Sequence, residues 1–212
     1  MTTLKIICYA ITAAFLLVLA NGPAFAGDLS GTISFKKKPP LVALAYLPVQ
    51  DKNVNTAVID QKNKQFKTKM AVVKSGGTVV FKNSDEVEHN VFANDKKLSA
   101  KFDVGLMQPG GEKNIQIDWQ ENSIVRVGCK IHPKMRTYLA AVDTSYYQVL
   151  EFNKKEKTYD FQIADIPNDA STFKFSIPKY DEVTIDISKG SSWTVDITKK
   201  GKVRGQLTIS KG

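Results

Sequence analysis

Apolar side chains recur at every second position along much of this chain, in short runs bounded by Gly, Pro, Asn and Asp. A period of two puts successive side chains on opposite faces of an extended backbone, so each run predicts a strand with one buried face. Residues 31–35, 42–47, 70–73, 78–83, 114–119 and 123–127 carry the pattern, and no stretch holds a helical repeat. Pro109-Gly110-Gly111 predicts a turn delivering residues 114–119. Gly76-Gly77 predicts a turn into a strand that ends near His89. The alternation continues past residue 143 with Tyr159, Phe161 and Ile163, then Phe173, Phe175 and Ile177. Val183, Ile185 and Ile187 follow, then Trp193, Val195 and Ile197. Pro167-Asn168-Asp169 and Lys189-Gly190-Ser191 supply polar turns among them. One-faced strands must cover their apolar side with another sheet, so an all-β fold is expected. We expect a β-sandwich over residues 27–142 and a small second sandwich over residues 143–212, joined at Asp143-Thr144-Ser145-Tyr146.

The first 26 residues read differently. A single charge, Lys5, precedes an apolar stretch from Ile6 to Ala20, and Ala24-Phe25-Ala26 has the small-x-small form of a signal-peptidase site. We expect residues 1–26 to be a signal peptide cleaved after Ala26, which makes the protein periplasmic or otherwise exported. The alternative is a retained anchor, although the apolar segment is short for a span of roughly 20 residues and ends in Gly22-Pro23. Cleavage would remove Cys8 and leave Cys129 as the sole thiol, so no intrachain disulfide could form. An unpaired thiol in an oxidising compartment calls for an occupant, and a metal would hold it as thiolate. The competing reading is a buried, inert cysteine.

Cys129 stands in the run Val127-Gly128-Cys129-Lys130-Ile131-His132-Pro133-Lys134-Met135, and His89 lies far upstream. His89 and His132 are the only two histidines of the chain. Two imidazoles and one thiolate in a plane, with a weak axial thioether, form the ligand set of a mononuclear blue-copper site. Three ligands on one short loop can wrap a metal while the fourth arrives from a distant strand. One type 1 copper per chain is therefore expected on His89, Cys129, His132 and Met135. Zinc suits the same thiolate and imidazole donors.

These residues carry a family resemblance. Gly77-Thr78-Val79-Val80-Phe81-Lys82-Asn83, His89-Asn90-Val91, Pro109-Gly110-Gly111 and the Cys129 to Met135 loop resemble the cupredoxin series of plastocyanin, pseudoazurin and amicyanin. The loop spacing is most similar to amicyanin and pseudoazurin, and Pro133 matches amicyanin. Within that group, residues 57–61, 89–92 and 101–106 together with Gly128 to His132 resemble the exported plastocyanin-like proteins labelled methylamine utilization proteins. The likeness spans roughly residues 30–145 and implies a Greek-key cupredoxin sandwich. It also implies that Asn90 ties the two ligand-bearing segments together, with its backbone N–H reaching the thiolate. Phe81, Phe92, Phe102 and Trp119 read as packing residues. Two positions depart from the pattern: Gly128 stands where an aromatic residue often precedes the cysteine, and Ile131 where proline commonly precedes the histidine. Both leave the edge of His132 as the expected site of electron exchange. The region after residue 143 is weakly similar to transthyretin-like domains.

The function expected is single-electron transfer between exported redox proteins. The alternative is a copper carrier or sensor without rapid turnover. A copper oxidase or nitrite reductase would need further histidines that the chain does not have, so an enzyme is not expected. Removing Lys5 from the 30 basic residues leaves 29 against 21 acidic ones, a net charge of +8. Lys130, Lys134 and Arg136 interleave with the ligands, which suggests docking of an acidic redox partner such as a c-type cytochrome or a dehydrogenase, unless they simply face solvent. Nucleic acid is not an expected partner.

Overall fold

The computed structural model describes residues 25–51 and 53–212. The expected signal segment lies outside the described residues except for Phe25 and Ala26, which open the first strand. The chain begins with β1 (Phe25–Phe35) and β2 (Val42–Tyr46). There follow β3 (Thr56–Lys62), β4 (Gln65–Phe66), β5 (Met70–Val73), β6 (Thr78–Asn83), β7 (His89–Asp95) and β8 (Ala100–Met107). Next come β9 (Glu112–Gln116), β10 (Ser123–Gly128), β11 (Arg136–Ala141) and β12 (Tyr147–Glu151). The last are β13 (Thr158–Pro167), β14 (Thr172–Ser176), β15 (Val183–Asp186), β16 (Ser192–Lys199) and β17 (Lys202–Lys211). Among the described residues there is no helix long and apolar enough to cross a membrane.

Four sheets form, with strand orders β13-β1-β17-β16, β12-β2-β14-β15, β5-β11-β10-β7-β8 and β4-β3-β6-β9. We number them one to four. One apolar core fills the space between sheets one and two, including Leu29, Ile33, Ala45, Phe173 and Leu207. A second fills the space between sheets three and four, with Ile59, Phe81, Val125 and Leu139. A third, smaller core joins Val42, Leu44 and Tyr46 of β2 to Met70, Val72, Tyr138 and Ala140 of sheet three. The sheets therefore stack in the order one, two, three, four.

This stacking explains two kinds of strand in the sequence. β2 (VALAY) and β5 (MAVV) are buried at every position, because each is covered on both faces. Ala43 and Ala45 face the first core while Val42, Leu44 and Tyr46 face the third. Strands of the outer sheets have one wet face and alternate instead, as β6 and β17 do.

Strand pairing corrects the expected division at residues 142 and 143. β1 pairs with β13 and β17, and β2 pairs with β12 and β14. Residues 25–47 thus complete the second sandwich, and β3 to β11 are inserted in the chain between its two segments. Local pattern marked β1 and β2 as strands but not their partners, which lie more than a hundred residues away. Two smaller differences concern boundaries. β9 ends at Gln116, after which Ile117 exchanges backbone hydrogen bonds with Gly76 and Gly77 and Trp119 enters the core. His89 opens β7; the preceding strand, β6, ends at Asn83.

Candidate metal centre

Adjacent strands of sheet three bring the distant residues together. β7 opens with His89, and its neighbour β10 ends at Gly128, one residue before Cys129. His132 and Met135 follow in the loop to β11, which closes on itself through Met135 N–H donating to His132 C=O at 2.8 Å. His89 Nδ1 and His132 Nδ1 lie 3.0 Å apart, and Cys129 Sγ lies 3.8 Å from His132 Nδ1. The ligand atoms of His89, Cys129 and His132 all fall within 4.8 Å of one another. Met135 is buried in the same core as Cys129 and lines the same cavity of about 410 Å³.

The donors fit a metal. His89 Nε2 is 2.9 Å from Asp85 Oδ2, so the ring proton belongs on Nε2 and the Nδ1 lone pair faces His132. Metal bonds of about 2.0 Å to imidazole and about 2.3 Å to thiolate allow donors up to about 4.3 Å apart, and both the 3.0 Å between the nitrogens and the 3.8 Å from the sulfur to His132 fall within that span. Burial pushes the His132 pKa below its ordinary value, with nearby His89 and Lys64 adding to the effect and Asp85 opposing it. The neutral imidazole that results is the form that ligates.

Hydrogen bonds hold this arrangement from both sides. Asn90 N–H donates to Cys129 Sγ at 3.3 Å, and Lys130 N–H donates to Asn90 Oδ1 at 3.2 Å. The Asn90 amide nitrogen in turn donates to Asp103 Oδ1 at 2.7 Å and to Gly105 C=O at 3.0 Å. A bulge makes room for this, since Asn90 faces Leu106 and Phe92 faces Asp103, leaving Val104 and Gly105 against Val91 alone. Gly105 has φ +71, a conformation that favours glycine, and aims its carbonyl at Asn90.

Two carboxylates at the centre escaped the sequence reading. Asp85 accepts from His89 Nε2, from Lys64 N–H at 2.7 Å and from Glu86 N–H at 3.0 Å. These bonds, the Lys64 amide foremost, hold its carboxyl well below the ordinary carboxylate range. Asp103 accepts from Asn90, from Gly105 N–H and from the Lys130 ammonium, and is lowered to about 2, chiefly by Lys130. The position of Asp85 four residues before His89 was a possible signal, but the polar run around it reads equally well as a turn.

The structure separates the three expected docking cations. The Lys130 ammonium is paired with Asp103 and sits 5.7 Å from the Phe92 ring centre, so its charge is engaged within the molecule. Lys134 and Arg136 are exposed. Phe92 occupies space beside Gly128, where a Cβ would lie 3.2 Å from its ring. An aromatic ring therefore does flank the cysteine segment, supplied across the sheet by β7.

No family model and no curated protein matches the chain. Solved structures do. A Cu(I) form of an amicyanin variant is 23% identical, covering 46% of this chain and 97% of that one, with a TM-score of 0.37. A purple cupredoxin from Nitrosopumilus maritimus is 18% identical, covering 40% and 98%, with a TM-score of 0.34. A copper-containing nitrite reductase from Thermus scotoductus SA-01 is 18% identical over 42% of this chain and 23% of that one, with a TM-score of 0.38. Each likeness covers less than half of this chain. Sheets three and four each hold one parallel pair, β5 with β11 and β3 with β6, and the His89, Cys129 and His132 cluster lies where β7 begins and β10 ends.

Proposed function

We propose that the protein is an exported type 1 copper protein that carries single electrons. The observation that carries this reading is the convergence of His89 Nδ1, His132 Nδ1 and Cys129 Sγ, with the Asn90 N–H on the sulfur and Met135 buried in the same core. His89, Cys129 and His132 would hold the metal, with Met135 as the weak axial ligand. Copper bound there supplies a one-electron couple. The chain's own contribution is rigidity: Asp85 fixes the His89 ring, Asn90 locks the cysteine segment to β7, and the surrounding core limits water. Such a frame keeps donor positions constant whichever oxidation state is present, which lowers the reorganisation that an electron transfer requires. His132 is the ligand nearest solvent, since Cys129 and His89 are buried. Its edge is the proposed point of exchange.

The visible and EPR spectra of untagged protein titrated with Cu(II) test this reading. We expect an intense thiolate-to-copper band and a small parallel hyperfine splitting at one copper per chain. Cys129→Ser should abolish the band, and Met135→Leu should keep it while raising the reduction potential. A Cys129→Ser protein that stays blue would sink the assignment. A pale complex with ordinary hyperfine splitting would favour the copper carrier or sensor.

The partner we propose is an acidic redox protein, such as a c-type cytochrome or a dehydrogenase, steered by Lys134 and Arg136. Reversing both charges should slow its reaction several-fold at low salt and little at high salt, where screening shortens to about 3 Å at 1 M. Equal rates at low salt would remove these residues from docking.

A further inference from the structure

The chain's net charge of +9 is unevenly placed. Lys36–Lys38, directly after β1, is a run of three lysines, and Lys154–Lys157, between β12 and β13, holds three more with a single acid, Glu156. The β16–β17 hairpin holds four cations in Lys199–Arg204. The fold gathers all three segments at one end of sheet one. Phe35 N–H donates to Lys157 C=O and Lys36 N–H to Arg204 C=O, both at 2.8 Å. Lys199 and Lys202 face each other across the hairpin turn. Most of these side chains are exposed, and among the described residues none is in an ion pair. The carboxylate of Asp181, which packs on the hairpin, is engaged by the Thr198 hydroxyl and the Lys200 and Gly201 amides.

The same end of the stack carries the candidate metal loop. Phe35 packs edge-on against Phe152 with ring centres 5.0 Å apart, and Phe152 N–H donates to Leu41 C=O. Glu151 then accepts from Lys69 N–H, and Lys69 C=O accepts from Tyr138 N–H. Tyr138 lies two residues into β11, the strand that begins immediately after Met135.

We propose that this basic end docks the protein on an anionic lipid bilayer. All but one of the cations in the three segments are lysines, mobile point charges on flexible stems. Spread over separate loops, they match a plane of phosphates better than one shaped anion. At a bilayer each contributes about fivefold to binding, and the effect falls off within roughly 8–10 Å. Docking in this way sets the Cys129–Met135 loop at the lipid-facing end of the molecule. The binding itself does not depend on the metal, so it stands or falls separately from the electron-transfer reading.

The test is co-sedimentation of the full chain with phosphatidylcholine vesicles, with and without phosphatidylglycerol, read as the ratio of the two partition coefficients. That ratio cancels any contribution of the apolar N-terminal segment common to both. Changing Lys36, Lys37 and Lys38 to Gln should cut the ratio about a hundredfold, and so should changing Lys154, Lys155 and Lys157 to Gln. Changing Lys96, Lys97 and Lys101 to Gln removes the same charge from the β7–β8 hairpin and should leave the ratio near that of the parent protein. Far-ultraviolet circular dichroism confirms that each variant is folded. A parent ratio near one, an undiminished ratio in either patch variant, or an equal fall in the hairpin control would overturn the proposal. So would binding to soluble polyglutamate with none to anionic vesicles, which would assign the patch to an acidic protein.

Discussion

Asp85 does for His89 what no residue of the Cys129 loop does for His132: it holds the ring by its far nitrogen. It reaches beyond the centre as well, because its second donor is Lys64 N–H, in the tight turn where Asn63 and Lys64 both have φ +54. Asp85→Ala removes these bonds and that from the Glu86 amide at once. On the copper reading we expect a 10- to 100-fold loss of metal affinity, roughly the usual cost of losing such an outer partner. Competition with a graded chelator measures it, and an unchanged affinity would mean that core packing alone orients the ring. Asp85→Asn retains an acceptor oxygen and should lose less.

At the scale of elements, β2 is the strand on which the stack depends. Its two faces belong to two cores, so a truncation there weakens the joint between sandwiches as well as one sandwich. Leu44 is fully buried in the third core, against sheet three. Leu44→Ala should cost about 2–5 kcal/mol in urea denaturation, while Val58→Ala, on an exposed face of β3, should stay within about 0.5 kcal/mol. A separate unfolding step for the β3–β11 region in Leu44→Ala would show that the third core couples the two sandwiches. Cys129 and β2 also differ in how they could be read. The ligand run is local and chemically distinctive. VALAY is only apolar, and its double burial follows from layers that no local pattern specifies.

Across the whole molecule, acid sensitivity follows from carboxylates that are tied into the fold at several places. Asp51 is held below its ordinary range, first by Lys74, which also contacts Ser145 and so pins both crossings between the sandwiches. Asp85 is lowered by the bonds described above, and Asp103 falls from 3.8 to about 2. A depressed native value means that the unfolded chain takes up protons first. The stability these groups contribute is therefore present above their ordinary value of 3.8 and is lost as pH falls from there toward 2. We expect a urea midpoint that is level between about pH 7 and 5 and declines below about pH 4, with part of the decline missing in Asp103→Asn. A midpoint that is level down to pH 2 would show that these contacts do not differ between folded and unfolded chains.

Local pattern determined the all-β class, the faces of the alternating strands and three of the four candidate ligands, because period-two alternation and a Cys-x-x-His-x-x-Met loop are properties of neighbouring residues, while His89 was singled out as the only other histidine. Tertiary structure alone decided the rest. It placed β1 and β2 in the sandwich with β12–β17, since strand pairing links residues that the sequence keeps far apart. It also set Asp85 behind His89, Asp103 on Asn90 and Lys130, and three lysine-rich turns at one end. Those groups are polar and lie in turns or on half-exposed strand faces, where the residue type says little until the fold supplies the neighbour.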